Sequence, residues 1–382
     1  MNNIPEGVSQ ISGRAGMSRL GFLAAAGAGA LTLAGCGGSS GSGSASSGST
    51  TAAQTAATGG ELNLWTWASY WAPKNLKLFT EKTGTKIHQA NYDSNDQMFA
   101  KMNSAAVSSY DMAIPTSGWI PLLAQRNTLA ELDTSGLPLQ YVDAQLKNQN
   151  YDPQGKYSVP KDYGVLGVIY DPAAVPGTVT SWNDYLELGA KLGVSGKVAC
   201  SNTADECIGI GMWSLGLDWN SKNQDDIKRG AEVMKDFAPH VKSFIAYPID
   251  GVVSGEFAMG VLSHGDARRA RLQKPSLKFV VPTPSSEIWV DSYVITKDAP
   301  DPGQAYSFIS FMLQPDQQVR DTSYIGYPTP LPGLEAKLPA SVPLKDDIFV
   351  SPEVLSRVTS RITDPSTQGL IASEYNQIAG AA

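Results

Sequence analysis

Short apolar runs alternate with amphipathic segments along most of the chain, and this alternation constrains the fold more than any other feature. Residues 61–67 (ELNLWTW) and 111–115 (DMAIP) have the pattern of buried strands, and residues 74–82 between them have a helical periodicity that ends at Gly84. Similar patterns predict strands at 86–92, 165–170, 197–201, 256–262, 277–282 and 288–296, and helices from Ser94 and at 119–126, 182–192, 206–215, 224–237 and 303–313. Such alternation predicts an α/β fold with largely parallel sheets.

The N-terminal segment is a charged region followed by an apolar run and a cysteine. Arg14 and Arg19 precede the run at 20–35, which ends in small residues directly before Cys36. The run is shorter than the ~20 residues that a membrane-spanning helix needs. The pattern therefore predicts a lipoprotein signal peptide over 1–35, with lipid attached to Cys36 and translation starting at Met1 or Met17.

Residues 36–60 are the predicted lipid site, Cys36, and a segment that follows it, in which 37–60 are Gly, Ser, Ala and Thr with Gln54 as the exception. Such a chain buries no apolar surface, and it behaves as a flexible tether with a reach of about 25–30 Å. The lipid would hold the folded body, 61–382, at the outer face of the cytoplasmic membrane. This predicts an extracytoplasmic, membrane-anchored protein.

Composition excludes several classes of function. Acidic residues outnumber basic ones by 36 to 29, which gives a net charge of −7, whereas a nucleic-acid partner requires a dense cationic surface. The three histidines and three cysteines are too few and too dispersed for a zinc framework, so no metal or cofactor is predicted. The body contains no Gly-x-Ser-x-Gly motif, and no catalytic residue is predicted.

Two cysteines remain inside the predicted body, Cys200 and Cys207. In an oxidising compartment they could form a disulfide if their Cα atoms lie within about 7 Å of each other. Two buried free thiols are the alternative, and the spacing leaves both open.

Three stretches resemble the spermidine/putrescine-binding proteins of bacterial ABC importers. They are 92–101 (YDSNDQMFAK), 289–292 (WVDS) and 325–330 (IGYPTP), and the resemblance extends in order and spacing over almost all of 61–335. It implies a type II periplasmic-binding-protein-like fold of two lobes joined by crossover strands, with the ligand cleft between them. The lobes would be 61–164 with 290–335, and 165–289 with 336–382. The partners implied are a polyamine, an ABC permease and its ATPase, and the protein would act as a monomer.

The resemblance also implies a set of binding residues. A flexible alkyl cation needs carboxylates for its ammonium groups and aromatic faces for its methylenes. Two of the implied residues, Trp289 and Asp291, are two apart on a predicted strand and so project to the same face. The residues that match family ligand positions are Trp67, Thr116, Glu206, Trp289, Asp291 and Tyr327.

Structural roles are open for three of these residues. Trp67 has other tryptophans nearby and would serve equally in a hydrophobic core. Glu206 follows Thr203 at the spacing of a helix capping box. Tyr327 lies in a Gly-Tyr-Pro turn, where it could pack against the turn itself.

The sequence departs from the family at four implied ligand positions. Thr203 replaces a carboxylate, Ser263 a tryptophan, Gly118 a tyrosine and Ala68 a threonine. These changes predict a pocket that is roomier and less anionic than a spermidine site. The alternative is therefore the same transport role for another organic cation, an amino-acid derivative or a metal chelate, or a non-transport sensor.

Overall fold

The computed structural model describes residues 58–92, 94–104 and 108–381. The strands within these ranges are β1 (Glu61–Thr66), β2 (Lys86–Asn91), β3 (Met112–Ala113), β4 (Val159–Tyr170), β5 (Val198–Cys200), β6 (Val241–Phe244), β7 (Met259–Ser263), β8 (Lys278–Val280) and β9 (Ile288–Ile295). The predicted signal peptide, Cys36 and most of the tether lie outside the described residues.

Helices follow most of the strands. They are α1 (Pro73–Thr83), α2 (Asn95–Met102), α3 (Ile120–Gln125), α4 (Trp182–Gly189), α5 (Ala204–Ser214), α6 (Gln224–Phe237), α7 (Ile249–Ser254), α8 (His264–Gln273), α9 (Pro302–Met312), α10 (Pro315–Ile325), α11 (Leu334–Lys337), α12 (Pro352–Leu355) and α13 (Pro365–Ala379). Among the described residues, none of these helices combines the length and apolar character needed to cross a bilayer.

The strands form one hydrogen-bonded path in the order β2-β1-β3-β9-β4-β7-β5-β6, with β8 paired to β4. At the two ends of the path the pairing is parallel: β1 pairs with β2 and β3, and β5 pairs with β6 and β7. In the middle it is antiparallel, because β9 runs against β3 and β4, and β4 runs against β7 and β8. The predicted parallel sheets are therefore joined by antiparallel strands.

Strand β4 is the main connection along this path. Its first half pairs with β9 and its second half pairs with β7 and β8. The sequence predicts only its second half, 165–170, because Lys161 and Asp162 interrupt the apolar pattern of the first half. Both charged residues are buried, and they can lie within a buried strand because they pair with each other.

Separate hydrophobic cores lie along the path. One includes Leu62, Phe79 and Phe308, and it draws its members from 62–159 and 293–313. Another draws on 166–261 and also takes Ile371 and Ile378 from α13. The lobe boundaries implied by the resemblance stay a prediction. The division between these two hydrophobic cores is compatible with those boundaries.

Several helices escape prediction from sequence, among them α8. Its sequence, HGDARRARLQ, lacks an apolar stripe, yet Asp266 and Arg268 are buried. The Arg268 guanidinium donates to the carbonyl oxygens of Pro343 and Leu344, so hydrogen bonds compensate for its burial. The periodicity of apolar residues cannot reveal such hydrogen-bond partners, because they are distant in sequence.

Candidate ligand-binding site

Asp291 lies on β9 opposite Asp162 of β4. Its side chain accepts hydrogen bonds from Tyr70 Oη (2.6 Å to Oδ2) and from Thr116 Oγ1 (2.7 Å to Oδ1). The same Tyr70 hydroxyl also contacts Asp162. Asp291 is 4% exposed, and burial, followed by the charge of Asp162, raises its pKa to about 7. This is a buried carboxylate whose charge the protein only partly compensates.

Lys161 supplies the counter-charge for Asp162. Its Nζ atom lies 2.6 Å from Asp162 Oδ2, and both side chains are almost fully buried. The same atom is 3.6 Å from the ring centroid of Tyr70 and 4.5 Å from that of Trp71. A primary ammonium is thus held between a carboxylate and aromatic faces beside Asp291. Sequence reasoning missed this pair, although adjacent charges in an apolar strand are a readable signal.

Trp289 and Tyr327, both implied ligand residues, lie together with their ring centroids 4.9 Å apart. Trp289 Nε1 donates to Ser263 Oγ at 2.8 Å, and Tyr327 Oη donates to Asp266 Oδ2 at 2.7 Å. The indole lies against Gly164 of β4, where an added Cβ would be 2.2 Å from the ring. Ser263, which replaces a family tryptophan, therefore orients the tryptophan that remains.

Glu206 lies in the first turn of α5 and accepts a hydrogen bond from Ser201 Oγ. The predicted capping box is wrong: Thr203 is the N-cap residue, but its side chain makes no capping hydrogen bond. The Glu206 carboxylate bonds to the Ser201 hydroxyl instead. Burial, with the nearby Asp205 charge, raises its pKa to about 7.

Trp67 follows β1 and is half-buried, with its ring centroid 4.5 Å from that of Tyr92. Its indole nitrogen is buried without a hydrogen-bond partner among the described residues. Two hydrophobic cores contact its ring, so its core role and its binding role both stay open.

Thr116 is fixed by Asn95, whose amide donates to Thr116 Oγ1 at 2.9 Å.

The C-terminal segment accounts for the glycine at 118. Thr363 N donates to Gly118 O at 3.0 Å, and an added Cβ on Gly118 would be 2.6 Å from Arg361 O. Arg361 itself pairs with Asp205 at 2.9 Å. The segment occupies the space that a side chain at 118 would need, so the family tyrosine has no room here.

We expect Gly118→Ala to lower the free energy of unfolding by about 1–3 kcal/mol, because the segment at 361–363 must move away from the new methyl group. Urea unfolding measures this change. Gly136→Ala is the matched control, since an added Cβ there meets nothing within 4 Å. Equal stability of the two variants would contradict this role for Gly118.

Cys200 and Cys207 are free thiols in the described structure, and both are buried. A hydrogen bond with Cys200, together with burial, holds the pKa of the Cys207 thiol well above its usual range. Of the two alternatives left open by the sequence, the structure has the free thiols.

Comparison with known proteins gives the class. The family of bacterial extracellular solute-binding proteins matches residues 74–348, and the chain belongs to this family. The chain is 32% identical over 311 residues to spermidine/putrescine-binding periplasmic protein 1 of Haemophilus influenzae, covering 80% of this chain and 85% of the relative. It is 30% identical to a putrescine/agmatine-binding protein of Pseudomonas aeruginosa, covering 76% and 83%.

A solved structure extends the comparison to the fold. The spermidine/putrescine ABC transporter substrate-binding protein of Streptococcus pneumoniae matches with a TM-score of 0.73 at 27% identity. The match covers 84% of this chain and 99% of that one. The resemblance and the fold class predicted from the sequence are confirmed.

Proposed function

We propose that this protein is the solute-binding subunit of an ABC importer and that it captures a polyamine outside the cytoplasm. The observation that carries the proposal is Asp291, a buried carboxylate that lies on the same face of β9 as Trp289 and opposite a second carboxylate, Asp162. An ammonium group would supply the missing charge, and the indole face would contact the alkyl chain. The two relatives named for spermidine, putrescine or agmatine support the same class of ligand.

Binding requires the cleft to open, because Asp291 is buried. Strands β4 and β9 connect the two sides of the path and are the natural hinge. We propose that the lobes close around the cation and that the permease, with its ATPase, recognises the closed form. The role is binding by a monomer and not catalysis, and nucleic acid is not a partner.

Thermal unfolding of the purified protein tests the ligand class. Spermidine, putrescine, spermine and agmatine are compared with glutamate and with a ferric chelate. A ligand at 100 times its Kd adds about 2.7 kcal/mol of stability, which corresponds to a shift of several degrees. A shift confined to amines supports the proposal. A shift given only by another solute would favour the alternative cargo that Thr203, Ser263, Gly118 and Ala68 suggest.

Polyamine affinity is expected to fall as the pH is lowered from 8 to 5.5. Asp291 and Glu206 each have a pKa of about 7 in the folded protein, and an ammonium binds their charged forms. Affinity should therefore drop by up to about tenfold per pH unit below 7 for each such group. Calorimetry at several pH values, in buffers of different ionisation enthalpy, measures the affinity and the protons released.

Without ligand the stability should change in the opposite direction. The folded-state pKa values lie above the ordinary carboxylate range, so the folded protein binds more protons than the unfolded chain between that range and pH 7. Stability then falls as the pH rises through this window.

For the binding prediction, a polyamine affinity that is constant from pH 5.5 to 8 would contradict the assignment of charged Asp291 and Glu206 to the cation.

We propose that lipid on Cys36 holds the protein at the outer face of the cytoplasmic membrane, as the sequence predicts. Fractionation of cells that express Cys36→Ser tests the anchor. The variant should leave the membrane fraction, whereas Cys200→Ser, a buried cysteine of the body, should remain in it. Retention of Cys36→Ser in the membrane would overturn the anchor without affecting the ligand proposal.

A further inference from the structure

Glu287 is a buried glutamate directly before β9 to which the resemblance assigns no role. It is 7% exposed, and its Oε2 atom has no hydrogen-bond partner among the described residues. Its backbone continues the pairing of β9, because Glu287 O accepts from Leu166 N at 3.0 Å. A buried carboxylate oxygen without a partner is costly, and such a group persists where something outside the chain compensates for it.

The position of Glu287 relates it to the site already described. Glu287, Trp289 and Asp291 follow each other at intervals of two along extended chain, so their side chains project to one face. Four residues of strand separate the backbone of Glu287 from that of Asp291 by about 13 Å. Trp289 lies between the two carboxylates.

The charges around Glu287 point to a missing cation. Burial raises its pKa well above the ordinary value, and the charges of Glu206 and Asp205 raise it further. Arg361 acts in the opposite direction, but its guanidinium is already paired with Asp205. Asp291 contributes to the same repulsion. The acidic groups thus outnumber the cation that faces them.

We infer that Glu287 binds the ammonium group of a linear triamine at the end opposite to the one bound by Asp291. The triamine would lie along β9 with its methylenes against Trp289. Glu287 would then supply the carboxylate that is lost at Thr203. A short diamine held at Asp291 would leave Glu287 unpaired, so the arrangement selects the longer cation. The inference rests on the proposed function and adds its length selectivity.

Glu287→Gln tests this inference because it removes the charge and preserves the shape. Calorimetry with spermidine and putrescine should show the spermidine Kd rising about 30-fold or more, while the putrescine Kd changes less than about 3-fold. Glu374→Gln is the matched control. It alters another buried glutamate, on α13, whose partner is Lys235, and it should leave both affinities unchanged.

Thermal unfolding provides a second measurement that does not depend on the binding curve. Burial favours the neutral form of Glu287, so Glu287→Gln should leave the unliganded protein at least as stable as the unaltered one, and its spermidine-induced shift should shrink. Glu287→Asp retains the charge and should keep more of the spermidine affinity than the glutamine variant.

The outcomes separate the two proposals. Spermidine affinity that is unchanged in Glu287→Gln but lost in Asp291→Asn overturns the role of Glu287 alone. An equal loss of spermidine and putrescine affinity overturns the length selectivity. Absence of amine binding by the unaltered protein overturns the proposed function, and the role of Glu287 with it.

Discussion

Asp291→Asn is expected to weaken polyamine binding about 100-fold or more. The change removes the charge that pairs with an ammonium in a buried site, and breaking such a pair costs about 3–5 kcal/mol. Titration calorimetry with spermidine and putrescine measures the loss. The unliganded protein should remain folded, because burial already favours the neutral form of this group.

Asp298→Asn is the control for Asp291→Asn. Asp298 lies on the exposed surface shortly after β9, and its replacement should leave polyamine affinity within a factor of two or so. Unaltered affinity in a folded Asp291→Asn protein would remove Asp291 from the site. Affinity lost equally in both variants would indicate an effect of overall charge.

Lys161→Met is expected to lower the free energy of unfolding by about 3–5 kcal/mol, because it leaves the buried Asp162 carboxylate without its cation. The loss corresponds to a fall in melting temperature of roughly 6–20 °C. Asp321 adds to the penalty, since burial raises its pKa to about 6 even though the charge of Lys161 lowers it in part. Urea and thermal unfolding measure both quantities.

Two further proteins isolate the Lys161 effect. Replacement of Asp162 by Asn in the Lys161→Met background should recover part of the lost stability, because no unpaired charge remains at the pair. Lys86→Met, at an exposed lysine on β2, should change stability by no more than about 0.5 kcal/mol. A loss below about 1 kcal/mol in Lys161→Met would mean that the pair contributes little to the fold.

The parts of the fold and site that depend on local pattern could be predicted from sequence. The alternation of strands and helices predicts the α/β class, and the spacing of Trp289 and Asp291 places them on one face of β9. The Gly-Tyr-Pro motif that carries the resemblance indicates Tyr327 as a binding residue, which stays a prediction, and its ring contacts Trp289. These predictions need only residues that are close in sequence.

The remaining features depend on register and on contacts between distant segments. Asp162 faces Asp291 only because β4 and β9 pair in one register, and a slip by one residue would reverse its face. The hydrogen bond between Ser263 and Trp289 joins two strands that sequence reasoning treats separately. Glu287 could have been found, because it extends the alternation that identified Trp289 and Asp291 by one step.

The position of the two carboxylates on β4 and β9 has a consequence for how the protein would meet a transporter. Asp162 and Asp291 lie on β4 and β9, the strands on which the lobes would turn, so the charge of the cargo and the angle between the lobes are linked. Under the proposed function, a permease would meet empty as well as loaded protein, and an empty protein that closed would occupy its docking surface without delivering a ligand.

Under the proposed function, repulsion among the carboxylates in their charged forms would disfavour an empty closed form, and a polyvalent cation would remove that repulsion. To turn a carrier that is 1% closed into one that is 99% closed, the cargo must favour the closed form by about 5.5 kcal/mol. A neutral molecule of the same length would lack this charge pairing and would favour the closed form less. Under the proposed function, the valence of the ligand would thereby suppress unproductive docking of the empty protein to the transporter.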